Sequence, residues 1–151
     1  MTKQTVYTLG YSGLDANDIR RLARELNAVL VDIRYRAGSR NQQYNKSALA
    51  SLFGDDYYHC REFGNENYRS GGPIKLAAPA WASDFIMGEF LTAGRNVILL
   101  CACKDLFTCH RWAVVQYLKQ HPAYQEVEFE NLTKRDVTGE SGGYQLPLIG
   151  E

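Results

Sequence analysis

The stretch VILLCACKDLFTCHRW, residues 97–112, decides the fold. It opens with an unbroken apolar run, residues 97–101, which has the length of a strand and the character of one that is buried on both faces. The end of this run and the stretch that follows it hold three of the chain's four cysteines, Cys101, Cys103 and Cys109. Beyond it, Trp112, Val115 and Leu118 recur at helical spacing. The stretch therefore predicts a strand, a cysteine-bearing loop and a helix.

The rest of the chain repeats this alternation of apolar strands and amphipathic helices. Strands are predicted at residues 6–11, 28–33, 57–60, 97–101 and 127–132, and helices at residues 15–26, 45–53, 79–94 and 109–120. Such alternation predicts a single three-layer α/β domain, with a mostly parallel central sheet of about five strands and helices on both faces. We place this domain at residues 1–132. Residues 133–151, with four glycines and few large side chains, are predicted to form a loosely attached C-terminal extension.

Composition and charge narrow the class of protein. A chain of 151 residues with 45% hydrophobic and 23% charged residues suits one globular domain. The 17 basic and 17 acidic residues balance, which argues against nucleic-acid binding over most of the surface. No apolar run approaches the roughly 20 residues of a membrane span, and the first residues lack the apolar core of a secretory signal. These features predict a cytoplasmic protein with reduced thiols and no membrane partner.

The carboxyl ends of the predicted strands indicate where a ligand would bind. In open α/β sheets the ligand crevice lies beyond those ends. Three segments fall there, namely Gly10–Gly13, Asp32–Asn45 and Cys101–Arg111. We therefore predict a functional surface where the second and third of these segments meet.

The segment after the second strand is rich in arginine. Residues 32–46 hold four basic residues, namely Arg34, Arg36, Arg40 and Lys46. No acidic residue lies between Asp32 and Lys46. An arginine guanidinium matches pairs of phosphate or carboxylate oxygens, and Tyr35 and Tyr44 could stack on a base or a sugar. Asp32 could act as a base or orient an arginine. The alternative is a solvated loop whose arginines pair with nearby carboxylates.

The cysteine loop places reactive groups at the start of a helix. Thr108 is the predicted N-cap, so Cys109, His110 and Arg111 would occupy the first turn. Free backbone N–H groups there attract anions and lower the pKa of a thiol. The position therefore favours either an anion site or a nucleophilic thiolate, with His110 available for proton transfer. The alternative is that Cys101 and Cys103 are simply small buried residues.

Known cysteine patterns do not fit this loop. A cysteine phosphatase needs Cys-x5-Arg, but the residue six positions before Arg111 is Asp105, and the short spacing of a rhodanese loop is absent as well. A zinc site would use Cys101, Cys103 and Cys109, with His59 or Cys60 as a further ligand. That spacing is not a standard one, and adjacent Cys109 and His110 would rarely bind the same ion. We therefore predict no metal and leave any cofactor unassigned.

Three ordered blocks of sequence resemble the domain of unknown function 488 family, which comprises small prokaryotic α/β proteins. The blocks are Thr8-Leu9-Gly10-Tyr11-Ser12, then Val31-Asp32-Ile33-Arg34 with Ser39-Arg40 and Tyr44-Asn45-Lys46, then Leu99-Leu100-Cys101 with Cys109-His110-Arg111. The resemblance runs to about Leu132 and implies the same fold and site location, but no established reaction. The chain departs from the family at Ala37-Gly38, where proline is common, and at Cys103, which is often another residue. The second departure weakens any mechanism that needs a Cys101–Cys103 pair.

These observations lead to one candidate site and several functions. The predicted catalytic residues are Asp32, Cys101 and His110, and the predicted ligand- or anion-binding residues are Ser12, Arg34, Ser39, Arg40, Asn45, Cys109 and Arg111. The leading hypothesis is binding of a phosphorylated ligand, either a nucleotide or a nucleic-acid end, with or without hydrolysis or transfer. The alternatives are a thiol-based enzyme that uses Cys101 and a non-catalytic interaction module. The sequence leaves turnover and the oligomeric state open.

Overall fold

The apolar runs and amphipathic segments form five strands and five α-helices in a computed structural model, which describes residues 3–103, 106 and 109–139. The strands are β1 (Thr5–Gly10), β2 (Ala28–Asp32), β3 (Tyr57–His59), β4 (Asn96–Cys101) and β5 (Glu128–Asn131). The helices are α1 (Ala16–Glu25), α2 (Lys46–Phe53), α3 (Pro79–Ile86), α4 (His110–Gln120) and α5 (Lys134–Thr138). A π-helical turn, Met87–Leu91, continues α3 toward Gly94.

The five strands form one sheet in the order β3-β2-β4-β1-β5, and every neighbouring pair is parallel. This confirms the predicted α/β class and the predicted number of strands. The run at residues 97–101 lies in the centre of the sheet and is buried throughout, as its unbroken apolar character predicts.

Helices cover both faces of the sheet and divide the core into two layers. Helices α1, α2 and α5 pack on one face, and α3, its π-helical extension and α4 pack on the other. Because side chains alternate along a strand, Leu99 and Cys101 of β4 point into the α3/α4 layer, while Leu100 points into the opposite layer. The Cys101 thiol therefore lies on the same face of the sheet as α4.

The connections reverse direction at β4, and this reversal opens a crevice. Strands β1 and β2 lie on either side of β4, and after each of them the chain continues to a helix on one face, α1 or α2. After β4 the chain continues to α4 on the other face. Loops that part in this way leave a gap at the carboxyl ends of the strands. We call this end of the sheet the carboxyl edge.

Helix α4 begins one residue later than the sequence predicts. Cys109 is its N-cap, with the extended φ of −106° and ψ of 151°, and His110 is the first helical residue. The predicted cap, Thr108, lies outside the described residues. Among those residues we find no helix with the length and apolar character needed to traverse a lipid bilayer.

Helix α5 corrects the domain boundary predicted at residue 132. Thr133 and Asp136 form a reciprocal capping box at its start, and Val137 is fully buried in the same core layer as α1. The stretch from Thr133 to Gly139 therefore belongs to the domain, whereas residues 140–151 of the predicted extension lie outside the described residues. A five-residue helix with one buried side chain is too short to produce a readable periodicity.

Candidate functional site

A cavity of about 390 Å³ opens at the carboxyl edge, where the loops after β1, β2 and β4 meet. The two segments that the sequence singles out both contribute to its walls. Its lining includes Tyr11, Arg34, Tyr35, Arg36, Tyr68, Ile74, Cys101, Cys103, Cys109 and His110. The walls combine three tyrosines with two arginines, one histidine and three cysteines.

Three thiols converge on this cavity. The Sγ atoms of Cys101, Cys103 and Cys109 all lie within 4.8 Å of one another, and those of Cys101 and Cys109 are 2.6 Å apart. All three are free thiols. Cys101 and Cys109 are buried, whereas Cys103 is exposed. We call these three residues the cysteine cluster.

The start of the cysteine loop is held against the end of β1 by its backbone. The N–H groups of Tyr11 and Ser12 donate to the carbonyl oxygens of Cys101 and Ala102, at 2.9 and 3.2 Å. Gly10 lies so close to the carbonyl group of Cys103 that a Cβ atom at Gly10 would overlap it. The predicted turn after β1 therefore positions two of the three thiols through backbone contacts, and it requires glycine at residue 10.

The electrostatics of the cluster distinguish its two buried thiols. Hydrogen bonds from Cys101 and Cys103, together with the backbone N–H of Arg111, lower the pKa of the Cys109 thiol below its ordinary value. Burial raises the pKa of the Cys101 thiol, and its hydrogen bonds to the other two cysteines act in the same direction. Cys109 is therefore the favoured thiolate and Cys101 a neutral donor, although the sequence analysis places the nucleophile at Cys101.

His110 is oriented by the loop after β2. Its Nε2 lies 2.7 Å from the carbonyl oxygen of Ile33, and its Nδ1 lies 3.9 Å from the Sγ atom of Cys109. A carbonyl oxygen only accepts hydrogen bonds, so Nε2 carries the proton of the neutral ring. The unprotonated Nδ1 therefore faces the cysteine cluster and can exchange a proton there.

Asp32 and Arg34 form a buried ion pair beneath the cavity. The Arg34 Nε and Nη2 donate to the two carboxylate oxygens of Asp32 at 2.8 and 2.6 Å, and the hydroxyl of Tyr57 donates to the same carboxylate at 2.7 Å. The remaining guanidinium bonds go to the Tyr11 hydroxyl and to the backbone carbonyl groups of Gly38 and Tyr44. Burial alone would lower the pKa of Arg34, but the hydrogen bond and charge of Asp32 raise it.

This pairing gives Asp32 and Arg34 a structural role. Asp32 is fully buried and is not part of the cavity wall, and the Arg34 guanidinium is already bound on every side by protein oxygens. A carboxylate in that position stabilises the loop after β2 and does not reach a ligand in the cavity. The geometry therefore does not support the catalytic role that the sequence predicts for Asp32.

The other predicted anion-binding residues do not converge on the cavity. Asn45 accepts a hydrogen bond from the backbone N–H of Ser39, so these two residues shape the loop. Arg40 and Ser12 are exposed and lie outside the cavity wall, and Ser12 borders a separate pocket of about 200 Å³ beside Lys134. Arg111 is fully buried, where it donates to Asn131 and to the carbonyl oxygen of Cys103. The three arginines that were predicted to bind an anion, at positions 34, 40 and 111, therefore do not form one anion-binding site.

Sequence reasoning misses the outer wall of the cavity. Tyr68 and Ile74 come from the long segment between β3 and α3, and both are large apolar side chains left about 45% exposed. The ring of Tyr35 packs against Tyr68 on one side, with a centroid distance of 6.0 Å, and the Arg61 guanidinium lies 4.1 Å from its centroid. The 65–74 segment has no periodicity, so no local pattern predicts that it lines the same cavity as the cysteine cluster.

Comparisons of the chain with known protein families, with curated proteins and with solved structures find no match. The resemblance to the domain of unknown function 488 family stays a prediction. The choice among functions therefore depends on the geometry of the cavity and the cysteine cluster.

Proposed function

We propose that this protein is a thiol-based enzyme that exchanges thiols and disulfides on a small substrate bound in the cavity. Cys109 acts as the attacking thiolate and Cys101 as the resolving thiol. The observation that supports this proposal is the 2.6 Å separation of their Sγ atoms in the wall of a cavity large enough for a small molecule. The two sulfurs need only a small side-chain adjustment to form a bond.

Reduction of the substrate disulfide balances with Cys101 and Cys109 as the source of two electrons. The Cys109 thiolate attacks one sulfur of a substrate disulfide, forms a mixed disulfide and expels the first substrate thiolate, which takes a proton from solvent. The Cys101 thiol then loses its proton, attacks the Sγ atom of Cys109 and releases the second substrate thiol. Two electrons pass from the protein to the substrate, which leaves a Cys101–Cys109 disulfide. Two small thiols then reduce this disulfide by the reverse sequence of exchange steps, which completes one turnover.

Oxidation by a small disulfide tests the proposal directly. The reduced protein treated with oxidised glutathione is expected to lose two hydrogens in its mass spectrum, with the new bond mapped to Cys101 and Cys109. Cys109→Ser should slow the reaction at least about a hundredfold, because a serine hydroxyl is not ionised near neutral pH. Cys101→Ser should instead accumulate the mixed disulfide on Cys109, since the resolving thiol is missing.

Cys60 provides the matched control for these variants. It is equally buried but lies outside the cluster, and burial raises the pKa of its thiol to about 12. Cys60→Ala should therefore react at the rate of the unmodified protein. An unchanged rate of oxidation in Cys109→Ser would contradict the proposal. If the protein is oxidised but does not reduce further substrate when a reductant is present, a non-catalytic binding module is favoured instead.

A phosphorylated ligand is the second candidate, and the observation that favours it is the position of Arg36. This arginine is exposed and lines the same cavity as Tyr35 and as His110, the first residue of α4. A phosphate on a nucleotide or a nucleic-acid end would meet a guanidinium there, and its base would meet the wall formed by Tyr35 and Tyr68.

Thermal unfolding with nucleotides and with inorganic phosphate tests the second candidate. A ligand at about a hundred times its Kd should stabilise the fold by about 2.7 kcal/mol and raise the Tm by several degrees. Arg36→Ala should abolish that shift, whereas Arg24→Ala, an exposed arginine on α1, should leave it intact. The absence of any shift in the unmodified protein would exclude the phosphorylated ligands tested.

A further inference from the structure

We infer that the reduced cysteine cluster is a binding site for a thiophilic divalent cation such as Zn²⁺, with the Sγ atoms of Cys101, Cys103 and Cys109 as its three protein ligands. Three sulfurs from two separate elements lie within 4.8 Å of one another. The inference goes beyond thiol–disulfide exchange and does not depend on it. The spacing of the cysteines in the sequence argues against a metal, but spacing alone does not show that the sulfurs meet.

The distances suit an ion after small side-chain movements. With Zn–S bonds of about 2.3 Å, the sulfurs of a tetrahedral site lie about 3.8 Å apart. The Sγ atoms of Cys101 and Cys109 are closer than this, at 2.6 Å, and no sulfur pair of the cluster is more than 4.8 Å apart. Rotation about χ1 moves the Sγ atom of each cysteine. The three sulfurs can therefore adjust their separations to suit the ion without a change of backbone.

The backbone that carries the ligands is already fixed. Hydrogen bonds to Tyr11 and Ser12 hold the chain from Cys101 to Ala102, and the Cys103 carbonyl oxygen accepts a hydrogen bond from Arg111 at 3.2 Å. Cys109 is fixed as the N-cap of α4. Binding would therefore require little rearrangement of the backbone at the three cysteines themselves, which favours affinity.

The charges around the cluster complement such a site. Three thiolates and one divalent ion carry a net charge of −1. The buried Arg111 guanidinium donates a hydrogen bond to the carbonyl oxygen of Cys103, and the positive end of the α4 dipole lies at Cys109. Both would stabilise the net negative charge in a buried position.

The fourth coordination position would face the cavity, because all three cysteines line it. His110 follows Cys109 directly in the chain, and adjacent residues rarely bind one ion, so a water molecule or an added thiol would complete the coordination. A disulfide between Cys101 and Cys109 would remove two of the three ligands. Metal binding therefore requires the reduced cluster, and oxidation should release the ion.

Cobalt and zinc titrations of the reduced, metal-free full chain test this inference. Added Co²⁺ should produce thiolate-to-cobalt charge-transfer absorption and strong tetrahedral d–d bands that saturate at one ion per chain, and Zn²⁺ should displace it. Cys103→Ser should weaken zinc binding at least about tenfold, because it removes a ligand on an exposed loop. Cys60→Ala should bind as the unmodified protein does, and treatment with oxidised glutathione should release the ion.

Two results would overturn the inference. One is the absence of charge-transfer absorption in the reduced protein, and the other is equal zinc affinity in Cys103→Ser and the unmodified chain. The metal-free protein is assayed for the Cys101–Cys109 disulfide in parallel. A protein that forms this disulfide but binds no cobalt would overturn the metal site alone, whereas one that binds cobalt but forms no disulfide would overturn the exchange reaction alone.

Discussion

Asp32→Ala is expected to lower the free energy of unfolding by about 3–5 kcal/mol, the range found when one partner of a buried ion pair is removed. The substitution leaves the Arg34 guanidinium with its charge in a site that is only 7% exposed. It also removes the acceptor of the Tyr57 hydroxyl. A domain of this size is stable by about 5–15 kcal/mol in total, so the loss is a large fraction of its stability. Urea denaturation followed by circular dichroism measures it.

A second ion pair provides the control. Asp18 and Arg21 lie 3.0 Å apart on the outer face of α1, where both side chains are well exposed. Asp18→Ala should cost no more than about 1 kcal/mol, because exposed pairs contribute little. If Asp32→Ala destabilised the protein no more than Asp18→Ala does, the buried network would not have the structural role assigned to it. Tyr57→Phe, which keeps the ion pair, should lose only about 1 kcal/mol.

Gly10→Ala is expected to cost about 3 kcal/mol, the upper end of the range for overpacking. The added Cβ would overlap the carbonyl group of Cys103, which is backbone and cannot rotate away. The cysteine loop must then move from the end of β1, where Gly10 pairs with Cys101 in the sheet register. We therefore expect the rate of Cys101–Cys109 disulfide formation to fall as well, measured beside the Tm.

Gly88 is the matched position for that substitution. A Cβ atom at Gly88 would meet nothing within 4 Å, and its backbone has no positive φ. Gly88→Ala should therefore leave stability within about 0.5 kcal/mol of the original value and leave disulfide formation unchanged. A Gly10→Ala protein with normal stability and normal disulfide formation would show that the loop is not held by its contact with β1.

The fold class can be predicted from the sequence because strands and helices are indicated by patterns of consecutive residues. The apolar run of β4 predicts a strand buried on both faces, and the helical spacing of apolar residues predicts helices that begin near residues 15 and 79. Strand ends in a parallel sheet share one edge, so the sequence also indicates which loops meet. The register and the strand order depend on pairing between distant segments, and no local pattern encodes them.

The roles of the site residues are harder to predict from the sequence, because the role of each residue depends on its neighbours in space. An arginine-rich loop without acidic residues suggests anion binding, yet Arg34 is turned inward by Asp32, only two positions earlier, and by Tyr11 and Tyr44. The sequence shows a carboxylate and a guanidinium at the end of a strand. It does not show that both are buried, and burial determines whether they bind each other or a ligand.

The amino-acid sequence by itself determined the α/β class, the central strand and the edge of the sheet at which the arginine and cysteine loops lie, because strand and helix periodicities are properties of consecutive residues. The tertiary structure decided that three thiols meet, that Cys109 is favoured over Cys101 as the thiolate, and that Tyr68 and Ile74 line the same cavity as these thiols. These features arise from contacts between segments far apart in the chain. The distances and burial that such contacts set control the chemistry of a thiol.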